Sequence, residues 1–200
     1  GAGAGASASR RQMEPLVYFE NMRQIWPAIR RLFNSAAQRL GATEETMDID
    51  IEKSPDTRLQ EMLLMIMAIL ERSLDCAEYI GPHKEEHCIV MLSSFSVDPA
   101  QAPPSDMAAA AVGAYHFFDP FAQQMPTFKL ASSVIFLQAK FADRAGGEVN
   151  EAVSEQALWC MTQEDKWGDE SVRMRELVTR LLTCHVSKHP RPIECITKIR

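Results

Sequence analysis

The sequence lacks the short motifs that mark most catalytic and cofactor-binding proteins. Its nine glycines form neither a G-x-x-x-x-G-K-S/T loop nor a G-x-G-x-x-G turn, so no phosphate-cradling loop is predicted. There is no G-x-S-x-G elbow for a serine nucleophile and no Glu-x-x-His spacing for a di-iron centre. These absences predict a chain without a cofactor, and they make an enzyme the less favoured class.

Closely spaced cysteines and an excess of basic residues are also absent. The five cysteines are scattered along the chain, which is typical of reduced thiols rather than of a disulfide framework. The formal charge of −6 argues against nucleic acid as the main partner, because proteins that bind the phosphate backbone usually carry a basic excess. We therefore expect a cytoplasmic or nuclear protein.

No apolar run is long enough to cross a membrane, so no membrane partner is predicted. The longest run, residues 62–70 (MLLMIMAIL), lies between Glu61 and Glu71 and has less than half of the roughly 20 residues that a spanning helix needs. A helix that is apolar on every side has to be covered on every side. We therefore predict a buried helix at about residues 57–80, in the centre of the fold.

Elsewhere the apolar residues recur every three to four positions, which is the period of an amphipathic helix. No stretch alternates cleanly enough to predict a strand. The predicted fold class is therefore all-α, with six to eight helices packed around the helix at about 57–80. The other predicted helices cover about residues 13–40, 82–94, 106–118, 127–143, 149–163 and 170–185.

Proline and glycine predict where several of these helices end. Pro27 should kink or break the first helix, because it removes a backbone donor and crowds the preceding turn. Gly41 should end that helix. Asp119 and Pro120 should turn the chain after the alanine-rich helix.

Residues 10–200 are predicted to form a single domain. Two halves of about 90 residues would each bury too little surface to be stable alone, although the proline-rich residues 96–106 (SVDPAQAPPSD) form an internal loop between them. Residues 1–9 (GAGAGASAS) are expected to be a flexible linker, a vector-derived remnant or a low-complexity segment outside the fold.

One face of the first helix is rich in arginine. Residues 10–40 hold six arginines and two glutamates, whereas residues 42–57 hold six acidic residues and one lysine. The favoured interpretation is that the two segments neutralise each other or face water. Alternatively, the arginines meet an external acidic or nucleic-acid partner, since guanidinium groups pair with carboxylates and phosphates in a bidentate fashion. Arg23, Arg30 and Arg31 are therefore candidate partner-binding residues.

Five aromatic side chains are concentrated in residues 115–128 (YHFFDPFAQQMPTF). The favoured interpretation is a packed corner between helices. The alternative is a groove or wedge that engages a partner peptide, because aromatic side chains are the usual anchors of protein interfaces. The candidate anchors are Tyr115, Phe117, Phe118 and Phe121.

Residues 83–87 (HKEEH) match the H-x-x-E-H spacing of inverted zinc-peptidase motifs. His83 and His87 would bind the metal from one helix face while Glu86 activates water. A solvated helix start is the favoured interpretation, because acidic residues are common there and no third ligand stands out. A structural zinc site is a further alternative, and its ligands would come from Cys76, His83, His87, Cys88, Cys184, His185, His189 and Cys195.

These patterns together predict a helical module for protein interaction or dimerisation in a regulatory or scaffold protein. Its partner would be a protein or peptide, in a homodimer or a hetero-oligomer. Two alternatives remain open: a regulatory effector domain with an apolar pocket for a small ligand, and a metal-dependent hydrolase that uses His83, Glu86 and His87.

Overall fold

The computed structural model describes residues 15–44, 56–77, 84–95, 106–145, 159 and 162–188. These residues are almost entirely helical and contain no strand, which confirms the all-α prediction. Residues 1–9, the loop residues 96–105 and most of the helix predicted at 149–163 lie outside them. The helices are α1 (Pro15–Glu44), α2 (Asp56–Ala77), α3 (Lys84–Ser93), α4 (Met107–Gln124), α5 (Phe128–Ala145), the short α6 (Glu164–Trp167) and, after a 3-10 turn (Gly168–Glu170), α7 (Ser171–Lys188).

Helix α1 runs without interruption through both Pro27 and Gly41. The predicted stop at Gly41 is therefore wrong, and so is a break at Pro27. A proline inside a helix costs about 3 kcal/mol. Trp26 and Phe33 are buried on either side of this position, and fully burying a large apolar side chain contributes roughly 1.5–3 kcal/mol. Packing against the core therefore outweighs the local preference of the proline.

Side-chain oxygens stabilise the first turns of α4 and α5. The backbone N–H of Ala109 donates to Oδ1 of Asp106 over 2.9 Å, and the N–H of Leu130 donates to Oγ1 of Thr127 over 3.4 Å. Both residues accept from amides that have no partner within the helix itself. The start of each helix is therefore set locally by the sequence.

The chain turns after α4 at Met125, and not at Asp119 and Pro120 as predicted. Met125 has extended backbone angles (φ −68°, ψ 128°), as expected for a residue that precedes a proline. Asp119 also precedes a proline, but α4 continues past it because Phe121 is buried in the core one step further on. Tertiary packing decides which of the two prolines ends the helix.

The deepest part of the core lies between α4 and α5, which share the most extensive interface among the described helices. Helix α3 packs on α4, so the helices before and after residues 96–105 contribute to one apolar cluster. Helix α2 packs against α1, α3 and α5. The fully or nearly buried residues of α4 and α5 include Ala111, Tyr115, Phe118, Ala122, Leu130, Val134, Ile135, Leu137 and Phe141.

Helix α2 is not covered on all sides, so the prediction of a buried central helix is not confirmed. Leu63, Leu70 and Leu74 face the core, but Met65 is 61% exposed and Ile69 is 43% exposed. The apolar run places apolar side chains on every side of α2, but only one face of the helix is buried. None of the helices in the described part of the chain is long and apolar enough to span a bilayer.

Candidate partner-binding groove

The predicted arginine face divides into two environments. Arg23 and Arg31 are exposed, and no described ion pair involves them. Arg30 is half-buried, and its guanidinium carbon lies 5.1 Å from the ring centroid of Phe117 on α4. This geometry is a cation–π contact. Arg30 therefore covers the core and is less available to a partner than its two neighbours.

The predicted aromatic anchors are core residues. The ring centroid of Phe33 on α1 lies 4.9 Å from that of Phe118 and 5.1 Å from that of Phe121, both with edge-to-face geometry. Phe117, at 8%, is the most exposed of the four predicted anchors, and Tyr115 is almost fully buried. Their assignment as partner anchors is corrected, because a buried ring presents no surface to a partner. The packed-corner interpretation describes them.

Two of the three residues proposed for metal-dependent hydrolysis face different surroundings. His87 is buried, with its ring centroid 6.1 Å from that of Trp26, whereas Glu86 is exposed. Burial lowers the pKa of the His87 imidazole below its usual value of 6.5. His83 lies outside the described residues. Within the described part of the chain, no group of three His, Cys, Asp or Glu side chains could hold a metal ion.

Of the eight candidate ligands for structural zinc, only His87 and Cys88 have described side chains. Cys88 is buried, forms no disulfide with a described residue and directly follows the buried His87 in the chain. The side chains of Cys76, Cys184 and His185, and residues 189 and 195, lie outside those described. A buried free cysteine ordinarily packs as a small apolar residue.

A groove of about 360 Å³ lies on the surface between α2, α5 and α7. It is open to solvent, and six of its nine lining side chains are apolar. Phe136 of α5 is 44% exposed there, although it is a large aromatic residue. The lining residues are Leu64, Met67, Ala68, Glu71, Phe128, Ser132, Ser133, Phe136 and Leu177.

Lys140 of α5 forms ion pairs with α2 next to the groove. Its Nζ lies 2.7 Å from Oδ1 of Asp75 and 3.2 Å from Oε1 of Glu71, both on α2. The same ammonium lies 5.3 Å from the ring centroid of Phe136. These contacts fix the spacing of α2 and α5 and keep Phe136 beside the apolar wall of α2.

A second depression, of about 470 Å³, lies on the outer face of α7. Val172 is its one large apolar side chain, and Arg175, Glu176 and Arg180 supply charged groups. A single helix provides all its lining residues. It therefore lacks the opposing apolar walls that make the groove beside α2 a better binding surface.

The sequence contains one signal for the groove that the spacing of the apolar residues does not reveal. The run at residues 62–70 is apolar at every position, so only part of it can face one core. The excess predicts cover by other parts of this chain, whereas the structure leaves Met65 and Ile69 at the surface. Phe136 and Leu177 join the site only through the packing of α5 and α7, which no local pattern predicts.

No protein-family model, curated protein or solved structure matches this chain.

Proposed function

We propose that the protein is an interaction module that takes up an amphipathic helix of a protein partner on the outer face of α2 and the adjoining groove. Two observations carry this proposal: the outer face of α2 exposes Met65 and Ile69, and Phe136 is exposed in the open apolar groove that Leu64 and Ala68 of α2 also line. Large apolar side chains grouped at a surface are typical of binding sites, whereas single ones are common everywhere.

The dimensions of the groove favour a helix as the bound element. Its α2 wall runs from Leu64 to Glu71, which corresponds to about two helical turns or roughly 10 Å. Partner helices usually insert anchors at positions i, i+3 or i+4, and i+7 into grooves of this kind. The methionine side chains at the site are flexible and adapt to the shape of an inserted side chain.

The alternative of a small apolar ligand has less support. Ligand pockets bury roughly 70–90% of a drug-sized molecule and are mostly enclosed. This groove is open to solvent along its length. It suits an elongated surface better than a small molecule.

The proposal can be tested by site-specific photo-cross-linking in cells. The photo-reactive residue p-benzoylphenylalanine replaces Met65 in one variant and Val172 in another. The two sites are matched, because they are 61% and 58% exposed and both are apolar. We expect cross-linked protein from position 65 in several-fold excess over position 172, mapping to an amphipathic helix in the captured chain. Equal or absent cross-linking at position 65 would contradict the proposal.

A further inference from the structure

Six residues on the outer face of α2 are spaced alternately three and four positions apart. This is the spacing of the a and d positions of a heptad repeat, which form the seam between paired helices. The first five are exposed, and the side chain of the sixth is 47% exposed. The seam consists of Arg58, Glu61, Met65, Ala68, Arg72 and Asp75.

The pattern of charged and apolar residues along the seam is self-complementary when two copies of α2 run antiparallel. Two copies of α2 that run antiparallel about a point between residues 66 and 67 place opposite charges together at both ends and apolar side chains in the middle. A parallel pair would instead place each charge against its own copy, which is repulsive. The antiparallel pairs are Arg58 with Asp75, Glu61 with Arg72, and Met65 with Ala68.

Heptad geometry independently requires this pairing. In an antiparallel pair of helices, each a position lies opposite a d position of the other helix, and Arg58, Met65 and Arg72 occupy a while their partners occupy d. The positions that flank the seam include Leu64 and Ile69, which are apolar, and Ile69 is exposed. The opposite side of the helix, with Leu63 and Leu70, faces the core.

We propose that the helix taken up by α2 is α2 of a second copy of this chain, in antiparallel orientation about a two-fold axis. This inference rests on the proposed function and names its partner. Each seam residue then has its complement on the other copy, as a self-complementary two-fold interface requires. Helix α2 has 22 residues, a length of about 33 Å, and Phe136 and Ile69 extend the apolar contact beyond the seam.

The two charged pairs are not equivalent. Asp75 already contacts Lys140 of its own chain at 2.7 Å, so Arg58 of the second copy would meet a carboxylate that is partly neutralised. Glu61 and Arg72 make no ion pair with any described residue. The pair of Glu61 with Arg72 is therefore the one on which a charge-reversal test should be made.

Sedimentation of the purified full chain tests the association. We expect a dimer for the unmodified protein, and Glu61→Arg should weaken dimerisation by about tenfold, because symmetry makes each reversal act twice and tenfold corresponds to 1.4 kcal/mol. The double variant Glu61→Arg/Arg72→Glu should recover most of that loss. Met65→Glu should give a monomer, whereas the matched Val172→Glu should leave the dimer intact. Far-UV circular dichroism confirms that each variant is folded.

Disulfide trapping tests the orientation. Glu61→Cys chains and Arg72→Cys chains are oxidised separately and as a mixture, against the unmodified protein as background. In the antiparallel pair, position 61 faces position 72, while the two copies of position 61 lie about 16 Å apart along the axis. A disulfide requires Cα atoms within about 7 Å, so a cross-link should form mainly in the mixture. Faster cross-linking within the Glu61→Cys sample would overturn the antiparallel arrangement.

These outcomes separate the inference from the proposed function. A monomer in sedimentation, with a different protein captured from position 65, would overturn the second copy as partner and leave the groove as a helix-binding site. A monomer with no capture at position 65 would contradict both. A dimer that is indifferent to the substitutions at Met65 and Glu61 would overturn the assignment of the interface to α2.

Discussion

The guanidinium group of Arg30 lies over the ring of Phe117, with 5.1 Å between its central carbon and the ring centroid. Three rings of α4, those of Phe117, Phe118 and Phe121, form an aromatic cluster with Phe33 and Phe95, and Phe117 is the most exposed of the three, at 8%. Arg30 therefore acts as a polar cover on an apolar core, and its aliphatic stem adds apolar contact beneath the charge. The two features predicted as separate functional surfaces meet at this one contact.

Replacing Arg30 with alanine should lower the free energy of unfolding by about 0.5–1 kcal/mol, which is typical of a cation–π contact near the surface. The matched change Arg23→Ala should alter it by less than about 0.5 kcal/mol, because Arg23 is exposed and has no described contact. Urea denaturation of both variants measures the difference. Equal effects would show that Arg30 does not stabilise the core.

Replacing Phe118 with alanine should lower the free energy of unfolding by about 3–5 kcal/mol. Phe118 is fully buried and lies within 5.6 Å, centroid to centroid, of Phe95 and Phe141, as well as beside Phe33. Phe136→Ala removes the same atoms from the surface of the groove and should cost less than about 1 kcal/mol, since surface substitutions have small effects. The urea midpoint and slope of each variant test this, and similar losses would contradict the assignment of Phe136 to the surface.

The stability of the protein should fall as the pH drops below 6.5, in part because of His87. Burial lowers the pKa of His87 in the folded chain, so the unfolded chain binds a proton first. The contribution is therefore intact above pH 6.5 and is lost progressively as the pH falls to the lower pKa of the folded state.

The His87→Phe variant isolates this effect, because it keeps a ring beside Trp26 and cannot be protonated. Urea midpoints measured from about pH 7.5 to about pH 5 should show a shallower dependence for His87→Phe than for the unmodified protein. Leu92→Met on the same helix is the control, because it changes a buried side chain without adding or removing a titratable group and should leave the dependence unchanged. An identical slope in His87→Phe would mean that the imidazole does not titrate between the two states.

Replacing the buried polar residue Gln138 with an apolar one should not destabilise the core. Its Nε2 donates to the carbonyl oxygen of Tyr115 over 3.4 Å, and its buried Oε1 has no hydrogen-bond partner among the described residues. An unsatisfied buried polar group costs about 1–3 kcal/mol, which exceeds the contribution of one long hydrogen bond. Gln138→Leu should therefore leave the free energy of unfolding unchanged or raise it by up to about 1 kcal/mol. Thermal or urea denaturation that shows a loss above that amount would contradict this.

Local signals in the sequence predicted the helical class and several boundaries. The helices predicted to begin at about residues 106 and 127 start within one residue of α4 and α5, because a side-chain cap and a 3.6-residue period are encoded by neighbours in the chain. Pro27 and Pro120 show the limit of such signals. Each lies inside a continuous helix with buried side chains beyond the proline, and that burial depends on other helices.

The site was harder to predict than the fold, for the same physical reason. An aromatic cluster is equally suited to a core and to an interface, and only the packing of Phe33 and Phe95 against α4 decides between them. Likewise the run at residues 62–70 has an excess of apolar side chains, but the sequence does not show which of them remain exposed to solvent. Met65 is exposed because α1 and α5 pack against other sides of α2.

The α4–α5 pair also bears on how the chain folds. The two helices are joined by residues 125–127 and share the most extensive interface described, so their contacts require only a short loop to close. Loop-closure entropy rises with loop length, and folds rich in local contacts form quickly. The hairpin of α4 and α5 thus gives the chain a local starting point. We expect the docking of α1, whose Phe33 is 85 residues from Phe118, to be the slower long-range step that completes the core.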